Sequence, residues 1–170
     1  MDFFEIMSLH YLIDGYNVAR HEAFKSNLPV SDERLALLEL ISRYRLCGSP
    51  ANKVSVVFDG FPPEFGWECP YRGLNVVFSG EKSADDVVIE MTFSSLRPKA
   101  IAVVSADNRI TSEAASRGAM IISPQQFLSK VGRAGALAKE EKENGRPITT
   151  QQQTRINEEF SKLWLKKKQE

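Results

Sequence analysis

Residues 10–15 read HYLIDG, a short apolar run that ends in Asp14 and Gly15. Consecutive apolar residues are typical of a strand that is covered on both faces, as in a parallel sheet. Gly15 permits a sharp exit from such a strand and leaves Asp14 at the edge of the sheet. The stretch therefore predicts a buried strand that carries a carboxylate to the edge where open α/β sheets bind their ligands.

The pattern of an apolar run followed by an acid occurs three more times along the chain. Residues 54–58 precede Asp59, residues 74–78 come shortly before Asp85 and Asp86, and residues 101–106 precede Asp107. Stretches with helical spacing separate these runs, and such β-α-β alternation indicates a parallel sheet. At 170 residues the chain fits one domain of the α/β class.

Cap residues and glycines give the expected bounds of the helices. Ser31 is expected to cap a first helix that has Asp32 and Glu33 in its first turn and that Gly48 ends. Ser83 is expected to cap a second helix, with Asp86 at the capping-box position. The further elements expected are a helix over 108–117, a strand over 119–123 and a helix over 124–131.

The composition changes after the last of these elements. Residues 8–131 are expected to form the globular domain, and the charged stretch 132–150 a linker or a frayed helix. Residues 151–170 predict an amphipathic helix whose apolar stripe is Ile156, Phe160, Leu163 and Trp164. We expect this helix to dock on its own domain, with a partner or a second protomer as the alternative, and the sequence leaves the oligomeric state open.

Charge and cysteine content narrow the class of protein. The 22 basic residues balance the 22 acidic ones, so any binding of nucleic acid must come from a local basic patch. Cys47 and Cys69 have neither metal-site spacing nor the density of a disulfide scaffold, which favours a reducing compartment. The first seven residues lack a signal-peptide pattern, and we expect a cytoplasmic protein without a membrane span.

The acids at the strand ends predict a metal site. Like charges that converge at one edge of a sheet repel each other, and a hard divalent cation bound by their oxygens relieves that repulsion. The expected metal ligands are Asp14, Asp59, Asp85, Asp86 and Asp107, with Mg²⁺ or Mn²⁺ as the ion. The alternative for each acid is structural, because aspartates also cap helices and satisfy turn amides.

Four motifs together resemble the YacP-like branch of the NYN domains, which are related to PIN nucleases. The motifs are residues 12–18 (LIDGYNV), 57–60 (VFDG), 83–90 (SADDVVIE) and 104–110 (VSADNRI). The resemblance covers about Tyr11 to Val131 and implies a three-layer α/β/α sandwich with a mainly parallel central sheet. It also implies divalent metal in an acidic crevice and endonucleolytic cleavage of RNA, with some relatives linked to mRNA turnover during translation.

The resemblance assigns roles to individual positions. Asp14, Asp85 and Asp107 match the acidic catalytic positions, and Asn17 matches the asparagine that follows the first acid. Many PIN-related chains have another acid two residues after the aspartate of the Ser-x-Asp motif, where this chain has Arg109. A site with fewer acids should hold a second ion weakly, or only when a substrate phosphate supplies the missing oxygens.

Polar and aromatic residues near the same edge are the expected contacts to RNA. The candidates for substrate binding are Asn17, Arg20, Lys82, Asn108 and Arg109. The aromatic residues of the loop after Asp59 are candidates for stacking on unpaired bases, and the alternative is that they pin the loop to the domain. The expected partners are RNA and, by way of the relatives that act during translation, the ribosome.

Two other functions compete with a metal-dependent ribonuclease. One is a catalytically silent RNA- or ribosome-binding module that keeps the fold but, with Arg109 in place of an acid, no longer positions two ions. The other is a phosphohydrolase of the haloacid-dehalogenase kind, which is disfavoured because Tyr16 stands where such an enzyme has a second acid.

Overall fold

A computed structural model describes residues 8–24, 31–64 and 69–143, with side chains up to residue 134. These residues contain a five-stranded sheet in which all neighbouring strands are parallel. The strands are β1 (His10–Asp14), β2 (Lys53–Phe58), β3 (Asn75–Phe78), β4 (Ile101–Val104) and β5 (Met120–Ile122). Their order in the sheet is β3-β2-β1-β4-β5, so the first strand lies in the centre.

Helices cover both faces of the sheet and make three layers. The helices are α1 (Gly15–Ala19), α2 (Glu33–Tyr44), α3 (Ala84–Phe93), α4 (Asn108–Ser116) and α5 (Pro124–Glu143), with a 3₁₀ turn at Pro98–Ala100. Ile13, Val56 and Val104 face a core formed with α1, α2 and α5. Leu12, Val57 and Val103 face a second core formed with α3 and α4. Burial on both faces explains the continuous apolar runs, and the predicted α/β/α sandwich is confirmed.

The order of the strands creates a crevice beside β1. The chain runs from β1 outward to β2 and β3, and then crosses to β4 on the other side of β1. Asp14 pairs with Val57 of β2 in the sheet register, and Ile13 pairs with Val104 of β4. Open α/β sheets bind ligands where the strand order reverses, outside the carboxyl ends of the strands. Asp14 is the residue that ends β1 at this position.

The helix bounds correct some of the sequence-based expectations. The N-cap of α2 is Asp32, whose side chain accepts a hydrogen bond from the Arg34 N–H, and not Ser31. The helix ends at Tyr44 because Arg45 adopts a left-handed conformation with φ of 48°, so Gly48 does not end it. The expected cap of α3 is confirmed, since Ser83 accepts a hydrogen bond from the Asp86 N–H.

Two elements differ in extent from the expectation. Helix α1 was not expected, and it starts directly after Asp14. Helix α5 does not end at Val131 but continues through Gly132 to Glu143, so the expected domain boundary falls inside a helix. The amphipathic helix expected over 151–170 lies outside the described residues.

Among the described residues, no helix combines the length and the apolar character that crossing a membrane requires.

Candidate active site

Asp14 is a buried acid at the centre of the sheet edge. Only 5% of its surface is exposed, although it sits at the end of β1. One carboxylate oxygen accepts a hydrogen bond from the Asn17 N–H at 3.4 Å, which makes Asp14 the N-cap of α1. The other oxygen accepts a hydrogen bond from the Ser105 hydroxyl at 3.2 Å. Burial, together with the charges of Asp85 and Asp59, raises the pKa of Asp14 to about 6, although the two hydrogen bonds act in the opposite direction.

Ser105 joins the ends of β1 and β4. It is 1% exposed, and its hydroxyl donates to Asp14 while accepting a hydrogen bond of 3.0 Å from the Asp107 N–H. Ser105 was not among the residues predicted to form the site. The signal that could have found it is a serine directly after a buried strand and two residues before an acid, because that spacing places a hydroxyl among the strand-end carboxylates.

Asn17 connects the same two loops from the other side. Its side-chain oxygen accepts a hydrogen bond of 2.9 Å from the Ala106 N–H. The structure therefore places this expected substrate ligand beside the acids, with its amide oxygen directed to the backbone after β4. Since its oxygen is committed, only the amide NH₂ group is left to act as a donor to a substrate phosphate.

Gly15 allows α1 to lie against β2. A β-carbon at this residue would come within 2.3 Å of the Phe58 ring. The backbone of Gly15 does not adopt a positive φ angle, so the reason for the glycine is the close approach and not the sharp turn that the sequence suggested.

Asp107 and Asp85 lie at the N-termini of the helices on the other face of the sheet. Asp107 caps α4 by accepting hydrogen bonds from the Arg109 N–H at 2.8 Å and the Ile110 N–H at 3.1 Å. Asp85 lies in the first turn of α3. Burial raises the pKa of Asp85, and the charges of Asp107 and Asp59 raise it further. These interactions show that the acids form one electrostatic group.

Asp59 has a structural contact at this edge. Its carboxylate accepts a hydrogen bond of 2.7 Å from the Ala84 N–H and so holds the start of α3 at the end of β2. It remains exposed to solvent. The bond agrees with the structural alternative for this acid, and the charge of Asp59 still acts on both Asp14 and Asp85.

Asp86 points to a cation and not to the other acids. Its carboxylate accepts a hydrogen bond of 2.7 Å from the Arg109 guanidinium, and this bond lowers the pKa of Asp86. Asp107 and Glu113 are nearer to Arg109 in sequence, yet the ion pair is formed with Asp86. The pair joins α3 to α4 at the mouth of the site.

Residues 11–169 match the family model of the YacP-like NYN domain. The chain belongs to this family. Two solved structures of Rae1 (YacP) from Bacillus subtilis resemble it in fold, and one of them is a point variant. The variant gives a TM-score of 0.64 at 19% identity, over 88% of this chain and 91% of that one. The other gives 0.61 at 20% identity, over 96% of this chain and 93% of that one. No curated protein matches the chain.

Membership in the YacP-like NYN family gives the chain a nuclease-like fold, and the acids lie at the carboxyl edge of its sheet, where open α/β sheets bind their ligands. All of the expected metal ligands lie at or just beyond the carboxyl ends of the strands. They are Asp14, Asp59, Asp85, Asp86 and Asp107.

The basic residues expected to bind substrate in this YacP-like NYN domain are each paired with an acid. Arg20 contacts Glu33 at 2.6 Å and lies over the Tyr16 ring, while Lys82 contacts Glu90 at 2.7 Å. Asn108 is exposed at the first residue of α4. The side chains of both cations are more than half exposed. Exposed pairs of this kind contribute little free energy and can be exchanged for another anion.

The acids of this YacP-like NYN domain offer carboxylate oxygens, the type of ligand atom that a hard cation prefers. The available groups are carboxylates, which Mg²⁺ and Mn²⁺ prefer, and their mutual repulsion would be relieved by a cation. In the described parts of the chain, no group of three or more His, Cys, Asp or Glu side chains has an arrangement that could hold a metal ion. An ion bound here would therefore need oxygens from water or from a substrate phosphate in addition to those of the acids.

Proposed function

We propose that the protein is a metal-dependent endoribonuclease that cleaves single-stranded RNA at the acidic edge of the sheet, with mRNA during translation as its substrate. The observation that carries the proposal is the buried Asp14, held by Ser105 and repelled by Asp85 and Asp59. A carboxylate that is kept out of water among other acids costs stability. Carboxylates whose pKa is perturbed in this way are common in active sites.

Asp14, Asp85 and Asp107 are the residues proposed to hold Mg²⁺ or Mn²⁺. When bound, the ion would lower the pKa of a water molecule and stabilise charge on the phosphodiester. Asp59 is a secondary candidate because one of its oxygens is used by the Ala84 N–H. Asp86 contributes only indirectly, through its pair with Arg109.

The basic residues are proposed to hold the RNA backbone by exchanging partners. Arg109 would release Asp86 and bind a phosphate with its planar group of donors. Lys82 and Arg20 would exchange Glu90 and Glu33 in the same way. Asn108 and the amide NH₂ group of Asn17 are neutral donors beside them. This proposal places the positive charge at the rim and the acids at the centre of the site.

Cleavage of a labelled single-stranded RNA in Mg²⁺ or Mn²⁺ tests the proposal. The wild type is compared with Asp14→Asn and with Asp32→Asn, a control that changes an aspartate capping a different helix. We expect cleavage by the wild type and by the control, and none by Asp14→Asn. Equal cleavage by Asp14→Asn would rule out the site. Because the proposed substrate is mRNA during translation, translating ribosomes are used alongside naked RNA, in a cytoplasmic extract that matches the expected location.

Two observations favour the alternative of a catalytically silent RNA- or ribosome-binding module. Arg109 neutralises Asp86, and the described residues include no three-ligand metal group. Such a module would bind RNA without cutting it on or off the ribosome, and Asp14→Asn would leave its affinity for RNA unchanged or increase it.

A further inference from the structure

Phe61 is a large apolar side chain in an exposed position near the acids. Its exposed fraction is 67%, whereas Phe58, three residues earlier, is fully buried. A single exposed aromatic residue is common on protein surfaces, so exposure alone carries no argument. What distinguishes Phe61 is its place two residues after Asp59 and the hydrogen bonds that fix the backbone before it.

The backbone at Phe61 is fixed by two loops of the candidate site. The Gly60 N–H donates a hydrogen bond of 3.1 Å to the Ser79 hydroxyl, and the Gly60 carbonyl accepts one of 2.8 Å from the Gly80 N–H. Phe61 thus follows Asp59 by two residues and is held beside the loop that leads into Asp85. The ring is presented from a defined backbone and not from a free loop.

Gly80 lies close to the tip of the Phe61 ring. A β-carbon at Gly80 would lie 3.7 Å from Cε1 of Phe61, which is ordinary van der Waals contact. The tip of the ring therefore packs near the backbone of Gly80, while most of its surface faces solvent. An aromatic ring that contacts the protein at its tip and leaves most of its surface open to solvent can act as a base-stacking platform.

Other aromatic residues of the described site and loop have contacts within the protein. The Tyr71 hydroxyl donates a hydrogen bond of 2.9 Å to Glu39, and the ring is only partly exposed. The Tyr16 ring contacts the edge of Phe58 and carries the Arg20 guanidinium at 4.2 Å. Among the aromatic residues described near the acids, Phe61 offers the most open ring.

A cation lies close to Phe61 along the chain. Lys82 follows Gly80 by two residues, its side chain is 57% exposed, and its partner Glu90 is also exposed. The hydrogen bond between Gly60 and Gly80 brings the segment that carries Phe61 beside the segment that leads to Lys82. The combination of an aromatic surface with a nearby cation is the chemistry by which proteins bind single-stranded nucleic acid.

We propose that Phe61 forms a stacking subsite for one unpaired nucleobase of an RNA strand that crosses the acidic edge. The proposal rests on the proposed function and adds the reason for selecting single strands, because a base inside a duplex cannot place its face on the ring. Stacking reads no sequence, since every base has an aromatic face. The subsite therefore selects the state of the RNA and not its sequence.

Binding of fluorescent RNA in Ca²⁺, with the full-length chain, tests the subsite. The probes are a 12-nucleotide single strand, the same sequence as a duplex, and single strands that carry 2-aminopurine. Phe61→Ala is compared with Phe61→Trp and with Phe93→Ala, a control that removes another exposed phenylalanine at the end of α3. Thermal unfolding verifies that all variants fold, as expected for exposed positions.

We expect Phe61→Ala to bind the single strand roughly five- to 100-fold more weakly, Phe61→Trp to restore binding, and Phe93→Ala to match the wild type. Binding should quench 2-aminopurine in the wild type but not in Phe61→Ala. Equal affinities of wild type and Phe61→Ala, or an equal loss with duplex RNA, would overturn the subsite. Phe61-dependent binding in Ca²⁺, combined with no RNA cleavage by the wild type in Mg²⁺ or Mn²⁺, would overturn the nuclease and leave the subsite. Absence of RNA binding by the wild type would overturn both.

Discussion

The Ser105 hydroxyl donates a hydrogen bond of 3.2 Å to the buried carboxylate of Asp14, although 91 residues separate them in sequence. The Ser105 hydroxyl oxygen also accepts a hydrogen bond from the Asp107 N–H. One hydroxyl thereby uses its single proton and a lone pair to hold an acid of β1 and the backbone of another acid after β4. The relative position of Asp14 and Asp107 depends on this serine.

Ser105→Ala should move the titration of Asp14 to higher pH. The hydrogen bond from Ser105 lowers the pKa of Asp14, so its loss raises that pKa further above its ordinary value. Stability should fall by about 1–3 kcal/mol because the Asp107 N–H loses its acceptor. NMR titration of the carboxyl group measures the first effect, and denaturant unfolding measures the second.

Ser105→Thr, which keeps a hydroxyl, should behave like the wild type. The control Ser55→Ala changes a buried serine in the middle of β2 and should leave Asp14 unaffected.

Asp14→Asn should stabilise the fold at alkaline pH. The pKa of Asp14 rises from 3.8 to about 6 on folding, so the native state binds more protons than the unfolded state between these values. The stability of the wild type therefore falls as pH rises through this window, and the full penalty of up to about 3 kcal/mol is present above it. Asparagine carries no charge and avoids the penalty. Chemical denaturation at pH 8 should show the gain, and the gain should nearly vanish at pH 4. A constant difference across this range would contradict the role of charge.

Asp107→Asn should separate catalysis from folding. Asparagine caps helices about as well as aspartate, so the hydrogen bonds from the Arg109 and Ile110 N–H groups should persist. Stability should then stay near the wild-type value or rise as repulsion with Asp85 is relieved. Asp107→Ala should instead lose about 1 kcal/mol with the cap. Under the proposed function both variants lose RNA cleavage, and unchanged cleavage by the asparagine variant would remove Asp107 from the site.

Variants of the ion pair between Arg109 and Asp86 should act in opposite directions on RNA affinity. Arg109→Ala removes a phosphate contact and should weaken binding, with a salt slope shallower by about 0.7 for one contact to a single strand. Asp86→Asn removes the competing anion and should strengthen binding. Affinity measured against salt in Ca²⁺ decides the matter. If both variants bind RNA as tightly as the wild type, Arg109 serves only to join α3 to α4.

The strands could be predicted because burial on both faces leaves a direct mark on the sequence. Each run of Val, Ile and Phe is a strand, and the acid after the run lies at the same edge because parallel strands end together. The positions of Asp14, Asp59 and Asp107 at this edge follow from this rule. Residues at one sheet edge are neighbours whatever their distance in sequence.

The partners within the site could not be predicted because they depend on how the helices are placed. Arg109 has acids nearby on its own helix and at its cap, yet it contacts Asp86 on a neighbouring helix. The structural alternative for Asp59 was a local turn, yet its hydrogen bond is with Ala84, 25 residues away. Helix α1 has only five residues and no apolar periodicity, and contacts with the sheet and the Asp14 cap support it.

The space beside Gly15 is too small for a side chain of any size. Because the Phe58 ring occupies the space where any β-carbon of residue 15 would lie, even alanine would push α1 away from β2. Asn17 would move with the helix and lose its bond to the Ala106 N–H. The geometry of the acids thus depends on the absence of a side chain at residue 15. Alanine at this position would add one methyl group and so misalign the two loops that hold Asp14, although residue 15 has no reactive group.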